Sequence, residues 1–248
     1  MGGGVKAPEM LIVNTDGMLW KADGTIVDVK QASNDLKDVG EVIIKPTIDT
    51  MGAKGVGLYL FVDGIDCRSG KTIEQVIKQY RSNFIIQKRV VNHETIRKLY
   101  PESINTFRII TFLTRDGIRT APVTMRIGVG GKFVDNGGIF IGVSNTGMLN
   151  KEGFSKKHIQ RYTAHPDSGV VFNGYRIEGV EKVLSAATKL HSMLPQLKML
   201  SWDMTLDQDG NVMIIEVNTT AQSVWFPQMV TGKSIFGEYT GDMLELIK

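Results

Sequence analysis

The sequence predicts an α+β fold that consists mainly of antiparallel hairpins. Short apolar runs flank tight-turn signals at Asp16-Gly17, Asp23-Gly24 and Asp209-Gly210, and such dipeptides favour hairpin turns because they tolerate a left-handed backbone. One long amphipathic helix is predicted at residues 176–194, where apolar residues recur at helical spacing and a proline follows. A chain of 248 residues holds one large domain or two small ones.

The most informative stretch is 201–218, which is predicted to form two strands joined by a turn at Asp209-Gly210. A two-residue turn places Asp203 opposite Glu216, with Asn218 two residues further along the same face. Opposed carboxylates repel unless a cation lies between them, so these oxygen donors predict a site for Mg²⁺ or Mn²⁺. The same register pairs Leu206 with Met213, Met204 with Ile215, and Trp202 with Val217.

Two alternatives stay open for this hairpin. A four-residue turn preserves the faces, whereas a three-residue loop moves Asp203 to the opposite face from Glu216, because side chains alternate along a strand. The acids are also compatible with an ordinary hairpin whose carboxylates face solvent.

Composition limits the classes of function. The formal charge is +3, and no basic block interleaves with aromatic residues, so we expect no nucleic-acid partner. The single cysteine, Cys67, excludes an intramolecular disulfide and fits a reducing, cytoplasmic location. No apolar run reaches the ~20 residues of a membrane span, and the first residues lack the apolar core of a signal peptide.

The first part of the chain contains a candidate phosphate loop. Residues 41–46 are predicted as a buried strand that carries Lys45, and residues 49–57 form a glycine-rich loop that carries Lys54 before the next strand at 58–62. Backbone N–H groups of such a loop approach anions closely, and the two lysines supply positive charge. A mobile hairpin loop without a ligand is the alternative, since neither a Walker loop nor a dinucleotide fingerprint is present.

The remaining elements follow from periodicity and turn signals. Thr72 begins a helix with a capping box, and Asn92 is predicted to cap a shorter one that stops before Pro101. Strands are predicted at 105–114, 120–127 and 139–144, a surface loop with His165 at 162–169, an irregular polar loop at 219–225, and a terminal helix at 243–247.

Two arginines lie in the middle of predicted strands. Arg108 and Arg126 have apolar neighbours, and a buried guanidinium is costly without an anionic partner. Each therefore needs either a phosphate or a carboxylate, and a structural ion pair is the alternative to a functional role.

Taken together, these motifs resemble the ATP-grasp superfamily, and most closely its sugar-transfer-associated branch. The motifs that carry the resemblance are 42–46 (VIIKP) with the glycine loop, 86–90 (IQKRV), 103–108 (SINTFR), 125–128 (MRIG), 135–138 (DNGG), 202–203 (WD) and 216–218 (EVN). The resemblance implies an ATP-grasp fold of two α+β subdomains with mainly antiparallel sheets that enclose a nucleotide cleft. A small lid at residues 1–86 and a larger subdomain at residues 87–248 correspond to it.

The resemblance also implies roles for individual residues. ATP would contact Lys45, the lid loop with Gly52, Lys54 and Gly55, and the hinge strand formed by Gln87, Lys88, Arg89 and Val90. Mg²⁺ would be held by Asp203, Glu216 and Asn218, and Arg108 and Arg126 would face the transferred phosphoryl group or the acyl phosphate. Gln87 stands where many members have an acid, and the N-terminal domain that usually precedes the lid is absent or vestigial, so a second copy or another chain is expected to supply it.

The implied reaction is the ATP-dependent activation of a carboxylate as an acyl phosphate, which an amine or another nucleophile attacks, with a link to polysaccharide biosynthesis. The expected partners are thus a small-molecule carboxylate and a nucleophile. A kinase that phosphorylates a sugar or other hydroxyl is the first alternative, and product analysis separates the two. A non-catalytic nucleotide-binding module is the second, and a carbohydrate-binding protein would leave the lysine loop without a role.

Overall fold

The computed structural model describes residues 4–48, 52–155, 160–220 and 222–245, and these form two compact units. The smaller unit comprises the described residues of 8–90, and the larger one those of 4–7 and 91–245. The division follows Val90 and not Ile86, because the strand that contains Ile86 and Gln87 is hydrogen-bonded within the smaller unit's sheet.

The elements are short and strands dominate. The strands are β1 (Val5–Lys6), β2 (Met10–Thr15), β3 (Met18–Lys21), β4 (Ile26–Val27), β5 (Gly40–Pro46), β6 (Gly57–Val62), β7 (Ile65–Asp66), β8 (Phe84–Lys88), β9 (Thr106–Thr114), β10 (Gly117–Thr120), β11 (Val123–Ile127), β12 (Ile139–Val143), β13 (Leu149–Ser155), β14 (Arg161–Tyr162), β15 (Met199–Leu206) and β16 (Val212–Asn218). The helices are α1 (Val29–Asp35), α2 (Ile73–Tyr80), α3 (Glu94–Arg97), α4 (Val180–Ser192), α5 (Trp225–Thr231) and α6 (Thr240–Glu245), with a 3₁₀ turn at Gly237–Tyr239.

The smaller unit is one antiparallel sheet with two helices. Its strand order is β4-β3-β2-β8-β5-β6-β7, and the hairpins predicted at Asp16-Gly17 and Asp23-Gly24 are present. Thr72 caps α2 with the predicted capping box, because its hydroxyl accepts from the Gln75 N–H and the Gln75 side chain accepts from the Thr72 N–H. The apolar face of α2 joins Val42, Ile44 and the other core residues of this sheet.

The larger unit is built on a nine-stranded sheet with the order β1-β16-β15-β9-β11-β12-β13-β14, and β10 pairs with β9. All pairs are antiparallel except β1 with β16. The strand predicted at 120–127 is therefore wrong as one element, since β10 ends at Thr120 and β11 begins after Pro122, which has no N–H for a ladder.

The two faces of this sheet are covered differently. On one face, α4 packs its apolar side against Phe107, Ile109, Met125 and their neighbours in the largest core cluster. On the other face, α5 covers Phe140, and residues 235–243 cover Ile110 and Phe112. These two small apolar clusters leave the middle of the second face to polar side chains.

The register of the β15–β16 hairpin corrects the expected turn. Asp207 pairs with Asn211 around a three-residue loop, and not Gln208 with Asn211 around two residues. Leu206 therefore faces Val212, and Met204 faces Ile214. A β-bulge at Ile215 then restores the predicted pairs, Trp202 with Val217 and Asp203 with Glu216, so the extra loop residue does not move Asp203 to the other face.

Two further expectations need correction. His93, not Asn92, caps α3, because Asn92 is buried and hydrogen-bonds Asn105 and Thr205 instead. The loop predicted at 219–225 leads directly into α5, which the sequence pattern did not indicate. Leu246 and Ile247, at the end of the predicted terminal helix, lie outside the described residues, as do Asp49, Thr50 and Met51 of the glycine loop.

No described helix has the length and apolar character that crossing a membrane requires.

Candidate functional site

The site is built on the polar middle of the second face of the larger sheet. Thr106 and Arg108 of β9 point to the same side because strand residues alternate, and their direct partners on β11 are Arg126 and Thr124. On the other side of β9, Asp203 is the direct partner of Arg108. We call this set the charged strip, and it comprises Thr106, Arg108, Thr124, Arg126, Ser201, Asp203, Glu216 and Asn218.

Asp203 accepts hydrogen bonds from both arginines. Arg108 binds it through two parallel bonds, Nε to Oδ1 at 2.5 Å and Nη2 to Oδ2 at 2.9 Å. Arg126 Nη1 donates to the same Oδ2 at 3.1 Å. Asp203 is 4% exposed and Arg108 8%, so these charge-assisted bonds offset the removal of these two charges from water. Each of the two arginines therefore forms an ion pair with a carboxylate of the chain, which is the alternative stated for them from the sequence.

Asp135 holds the other end of Arg126. Its Oδ1 accepts from Arg126 Nη2 at 2.6 Å and its Oδ2 from the Thr106 hydroxyl at 2.6 Å. Burial raises the pKa of Asp135 to about 6, although Arg126 and Thr106 favour the charged form and lower the pKa. The formal charges of these four groups, two arginines and two aspartates, sum to zero.

The strip also concentrates polar atoms that lack partners. Across the part of the chain that the structure describes, eight buried side-chain N or O atoms have no hydrogen-bond partner, and four of these are on the strip. They are Thr124 Oγ1, Arg126 Nε, Ser201 Oγ and Asn218 Nδ2. A buried unpaired polar group costs free energy, so a cluster of them indicates a surface with unused capacity for polar ligands.

The predicted metal ligands share the strip but differ in surroundings. Asp203 is buried between arginines, Asn218 is half-buried opposite Ser201, and Glu216 is exposed without an ion pair among the described residues. Two carboxylates and an amide oxygen are the donor types that Mg²⁺ prefers, and Asp203 Oδ1 keeps one lone pair beyond its bond from Arg108, whereas Oδ2 accepts from both arginines. The donor set thus fits a hard cation. No group of three or more His, Cys, Asp or Glu residues with metal-binding geometry occurs within the described ranges.

Two predicted nucleotide residues share one face of the smaller sheet. Lys45 pairs with Ile85, and Gln87 pairs with Ile43 on the neighbouring strand, so both side chains lie opposite the apolar core face that carries Val42 and Ile44. Lys45 is half-buried and Gln87 is 9% exposed. The alternation of β5 and β8 therefore brings a cation and an amide together on one surface.

The other predicted nucleotide residues are more dispersed. Gly52 and Lys54 are exposed in the glycine loop, and Gly55 has φ +78° with Pro46 so close that a Cβ would come within 2.9 Å of its ring. Lys88 pairs with Glu9 at 2.9 Å, and Arg89 donates to Glu41 at 2.8 Å, while Val90 is half-buried. Lys88 and Arg89 thus have carboxylate partners within the smaller unit.

His165 lies in a loop as predicted, but its side chain is buried and not at the surface. It is 1% exposed, and its Nε2 lies 2.8 Å from the Gly128 carbonyl. Since that carbonyl only accepts, Nε2 carries the proton, and Nδ1 accepts from the Asp167 and Ser168 backbone. Burial lowers the pKa of His165 despite the raising effect of the Gly128 hydrogen bond, so the histidine braces the segment that follows Arg126.

Three members of this network have no role that the sequence patterns predicted. Thr106, Thr124 and Asp135 hydrogen-bond or adjoin the two arginines. Thr106 and Thr124 each lie two residues before an arginine of the same strand, so period-two alternation could have predicted that they share its face. Asp135 lies in a loop, and only the tertiary fold brings it to Arg126.

Comparisons with known proteins identify the family. A family model described as sugar-transfer associated ATP-grasp matches residues 2–241, and no curated protein matches by sequence. Solved structures with a similar chain course include an N5-carboxyaminoimidazole ribonucleotide synthetase with ADP (15% identity, 87% of this chain, 41% of that chain, TM-score 0.48), an L-amino acid ligase from Bacillus licheniformis (14%, 94%, 42%, 0.47) and VanG D-Ala:D-Ser ligase from Enterococcus faecalis (11%, 99%, 58%, 0.49).

The chain spans between 41% and 58% of the length of these three solved chains. The family model itself covers nearly the whole sequence, and the α+β architecture of two mainly antiparallel sheets agrees with it. The chain therefore belongs to the sugar-transfer associated ATP-grasp family.

Proposed function

We propose that the chain is an ATP- and Mg²⁺-dependent ligase that activates a carboxylate as an acyl phosphate for attack by an amine or another nucleophile. Membership of the ATP-grasp family supports the use of ATP. The observation that carries the proposal is the charged strip, where Arg108 and Arg126 lie beside a set of oxygen donors suited to Mg²⁺.

The proposal assigns three kinds of work to residues of this chain. Asp203, Glu216 and Asn218 hold the cation, for which Mn²⁺ is the alternative to Mg²⁺. Arg108 and Arg126 stabilise the negative charge of the transferred phosphoryl group, which is the main contribution a protein makes to such a transfer. When bound, Mg²⁺ supplies charge neutralisation on the phosphate oxygens.

Lys45, Gly52, Lys54, Gly55 and the 87–90 segment are proposed to contact ATP. The shared face of Lys45 and Gln87 supports a common ligand for these two residues. Arg89 has the weakest support, because Glu41 already accepts from its guanidinium and its backbone N–H bonds the Glu41 carbonyl. A place in polysaccharide biosynthesis and a cytoplasmic location remain proposals that rest on the family description and composition alone.

The test is incubation with ATP, Mg²⁺ and pooled carboxylates and amines, followed by mass analysis. A ligase yields ADP, inorganic phosphate and a condensed product. A phosphorylated acceptor without phosphate release identifies the kinase alternative, and ATP-dependent thermal stabilisation without ADP identifies the binding module. Either result overturns the ligase.

Variants locate the activity. Glu216→Gln is expected to reduce ADP formation at least about 100-fold, because the exposed carboxylate contacts no other charged group in the described structure and its loss removes a proposed metal ligand. The control is Glu152→Gln, which changes a partly exposed carboxylate of β13 that pairs with Arg161 and should retain full turnover. Equal turnover by both variants would remove Glu216 from the site.

A further inference from the structure

Both arginines of the charged strip are occupied by carboxylates. Arg108 donates Nε and Nη2 to Asp203, which is the paired geometry in which a guanidinium also binds a phosphate. The edge that suits an oxyanion best is therefore already engaged.

Arg126 is held unequally by its two partners. Its bond to Asp135 is 2.6 Å and its bond to Asp203 is 3.1 Å. Asp135 is itself fixed by the Thr106 hydroxyl, whereas Asp203 is shared between two arginines. Asp135 is thus the firm anchor of Arg126, and Asp203 is the partner that can be exchanged.

The charge of Asp203 opposes the binding of a phosphate to the two arginines. The formal charges of the two arginines, Asp135 and Asp203 sum to zero, and Glu216 adds one negative charge to the strip, so the strip offers a phosphate no net attraction. Neutralising Asp203 raises this total by one and releases donors of both arginines, in a site that is buried enough for such charges to matter. A divalent cation bound to Asp203 raises the total by two and competes with the arginines for the carboxylate oxygens.

We propose that Asp203 is an exchangeable partner whose capture by a divalent cation frees Arg108 and one edge of Arg126 for an anionic phosphate ligand, while Asp135 and Thr106 keep Arg126 in place. Cation and phosphate binding are then coupled through the exchange of ion-pair partners as well as through direct contact. Asp135 and Thr106 act as positioning residues. This inference rests on the proposed assignment of the cation to Asp203.

The experiment measures binding of inorganic pyrophosphate by calorimetry in the presence of chelator, so that neither metal nor turnover is involved. Asp203→Asn is expected to bind pyrophosphate at least about tenfold more tightly than the unmodified chain, because two guanidinium groups lose their competing carboxylate. Glu152→Gln removes the same charge at a partly exposed position and should leave the affinity within about twofold. Equal affinities for the folded Asp203→Asn variant and the unmodified chain would overturn the inference.

A second measurement covers the case in which Asp203→Asn fails to fold. Sulfate binding to the unmodified chain is compared with and without Mg²⁺, and the same comparison is made for Arg108→Gln. The cation is expected to tighten sulfate binding about tenfold in the unmodified chain and less than threefold in the variant. A gain of equal size in both proteins would show direct metal–anion contact alone and would overturn the exchange.

These outcomes separate the inference from the proposed function. If Asp203→Asn binds pyrophosphate more tightly without metal but the unmodified chain forms no condensed product, the ion-pair exchange is supported and the ligase activity is overturned. If the unmodified chain forms a condensed product but Asp203→Asn gains no affinity for pyrophosphate, the ligase activity is supported and the exchange is overturned.

Discussion

The two faces of the larger sheet treat polar groups in opposite ways. On the α4 face, the Trp202 indole N–H donates to Thr111 Oγ1 at 2.8 Å, and Thr111 Oγ1 lies 2.7 Å from His191 Nδ1. His191 Nε2 lies 2.7 Å from the Leu197 carbonyl, which only accepts, so Nε2 carries the proton and Nδ1 accepts from the Thr111 hydroxyl. Every polar atom in this chain of hydrogen bonds has a partner.

On the opposite face, the strip combines four charged side chains (Arg108, Arg126, Asp203 and Glu216) with four unpaired polar atoms. The same strand, β9, supplies both environments, since Thr111 is on the α4 face and Arg108 on the strip. The comparison indicates that the α4 face contributes stability, whereas the strip keeps polar groups available at a cost in stability. Four predictions test this division.

The largest effect is expected from Phe107→Ala on the α4 face. Phe107 is fully buried in the main core cluster, and truncation of a buried aromatic ring costs about 3–5 kcal/mol of unfolding free energy. Urea denaturation measures the loss. Met193→Ala, at a position that is 66% exposed, is the control and should change the free energy by less than about 0.5 kcal/mol. A loss below about 1 kcal/mol for Phe107→Ala would contradict a tightly packed core.

The next effect is expected from Thr111→Val. The substitution keeps the side-chain volume but leaves the Trp202 N–H and His191 Nδ1 without partners, which costs about 1–3 kcal/mol. The same urea titration measures it. Thr188→Val, at the partly exposed side of α4, should be nearly neutral because its hydroxyl only supplements helix carbonyls. Similar losses of unfolding free energy for the two variants would show that the buried hydrogen-bond chain through Thr111 does not stabilise the fold.

A third effect, comparable in size over its whole pH window, is the pH dependence that comes from Asp135. Its pKa is raised to about 6 in the folded chain, so the folded state binds more protons than the unfolded state between about pH 4 and pH 6. The free energy of unfolding should therefore fall as pH rises through this window, by at most about 1.4 kcal/mol per pH unit. Asp135→Asn should lack this component, and identical pH profiles would contradict the raised pKa.

The smallest effect is expected from Thr124→Val. Thr124→Val makes the same chemical change as Thr111→Val, but on the strip, where the Thr124 hydroxyl is buried without a partner. We expect unfolding free energy to change by less than about 0.5 kcal/mol or to rise, because no hydrogen bond is lost. A loss equal to that of Thr111→Val would remove the distinction between the faces.

The acidic hairpin shows how far a sequence argument reaches. The pairing of Asp203 with Glu216 was predicted correctly from a turn that is wrong, because the three-residue loop and the bulge at Ile215 shift the register in opposite directions. Turn dipeptides indicate where a chain reverses, but a bulge depends on how the strands twist against their neighbours. No local pattern marks Ile215.

The arginines show the same limit in the site. Their position in mid-strand predicted that each needs an anion, and each has one. The sequence does not show whether that anion is a carboxylate of the same chain. For Arg108 it is Asp203, which lies 95 positions away. Asp135 and the buried His165 lie in loops, whose environment is set by the elements that pack around them.

The sequence by itself determined the α+β class, the capped helix α2, the hairpins, the family and the alternation that puts acids, amide and arginines on one side of the sheet. Period-two alternation and capping are local, so they can be read from neighbouring residues. Only the tertiary structure decided that Asp203 lies between two arginines, that Asp135 anchors one of them, and that one sheet face is satisfied while the other is not. Those facts depend on distances between residues far apart in the chain, which close packing fixes and local propensity does not.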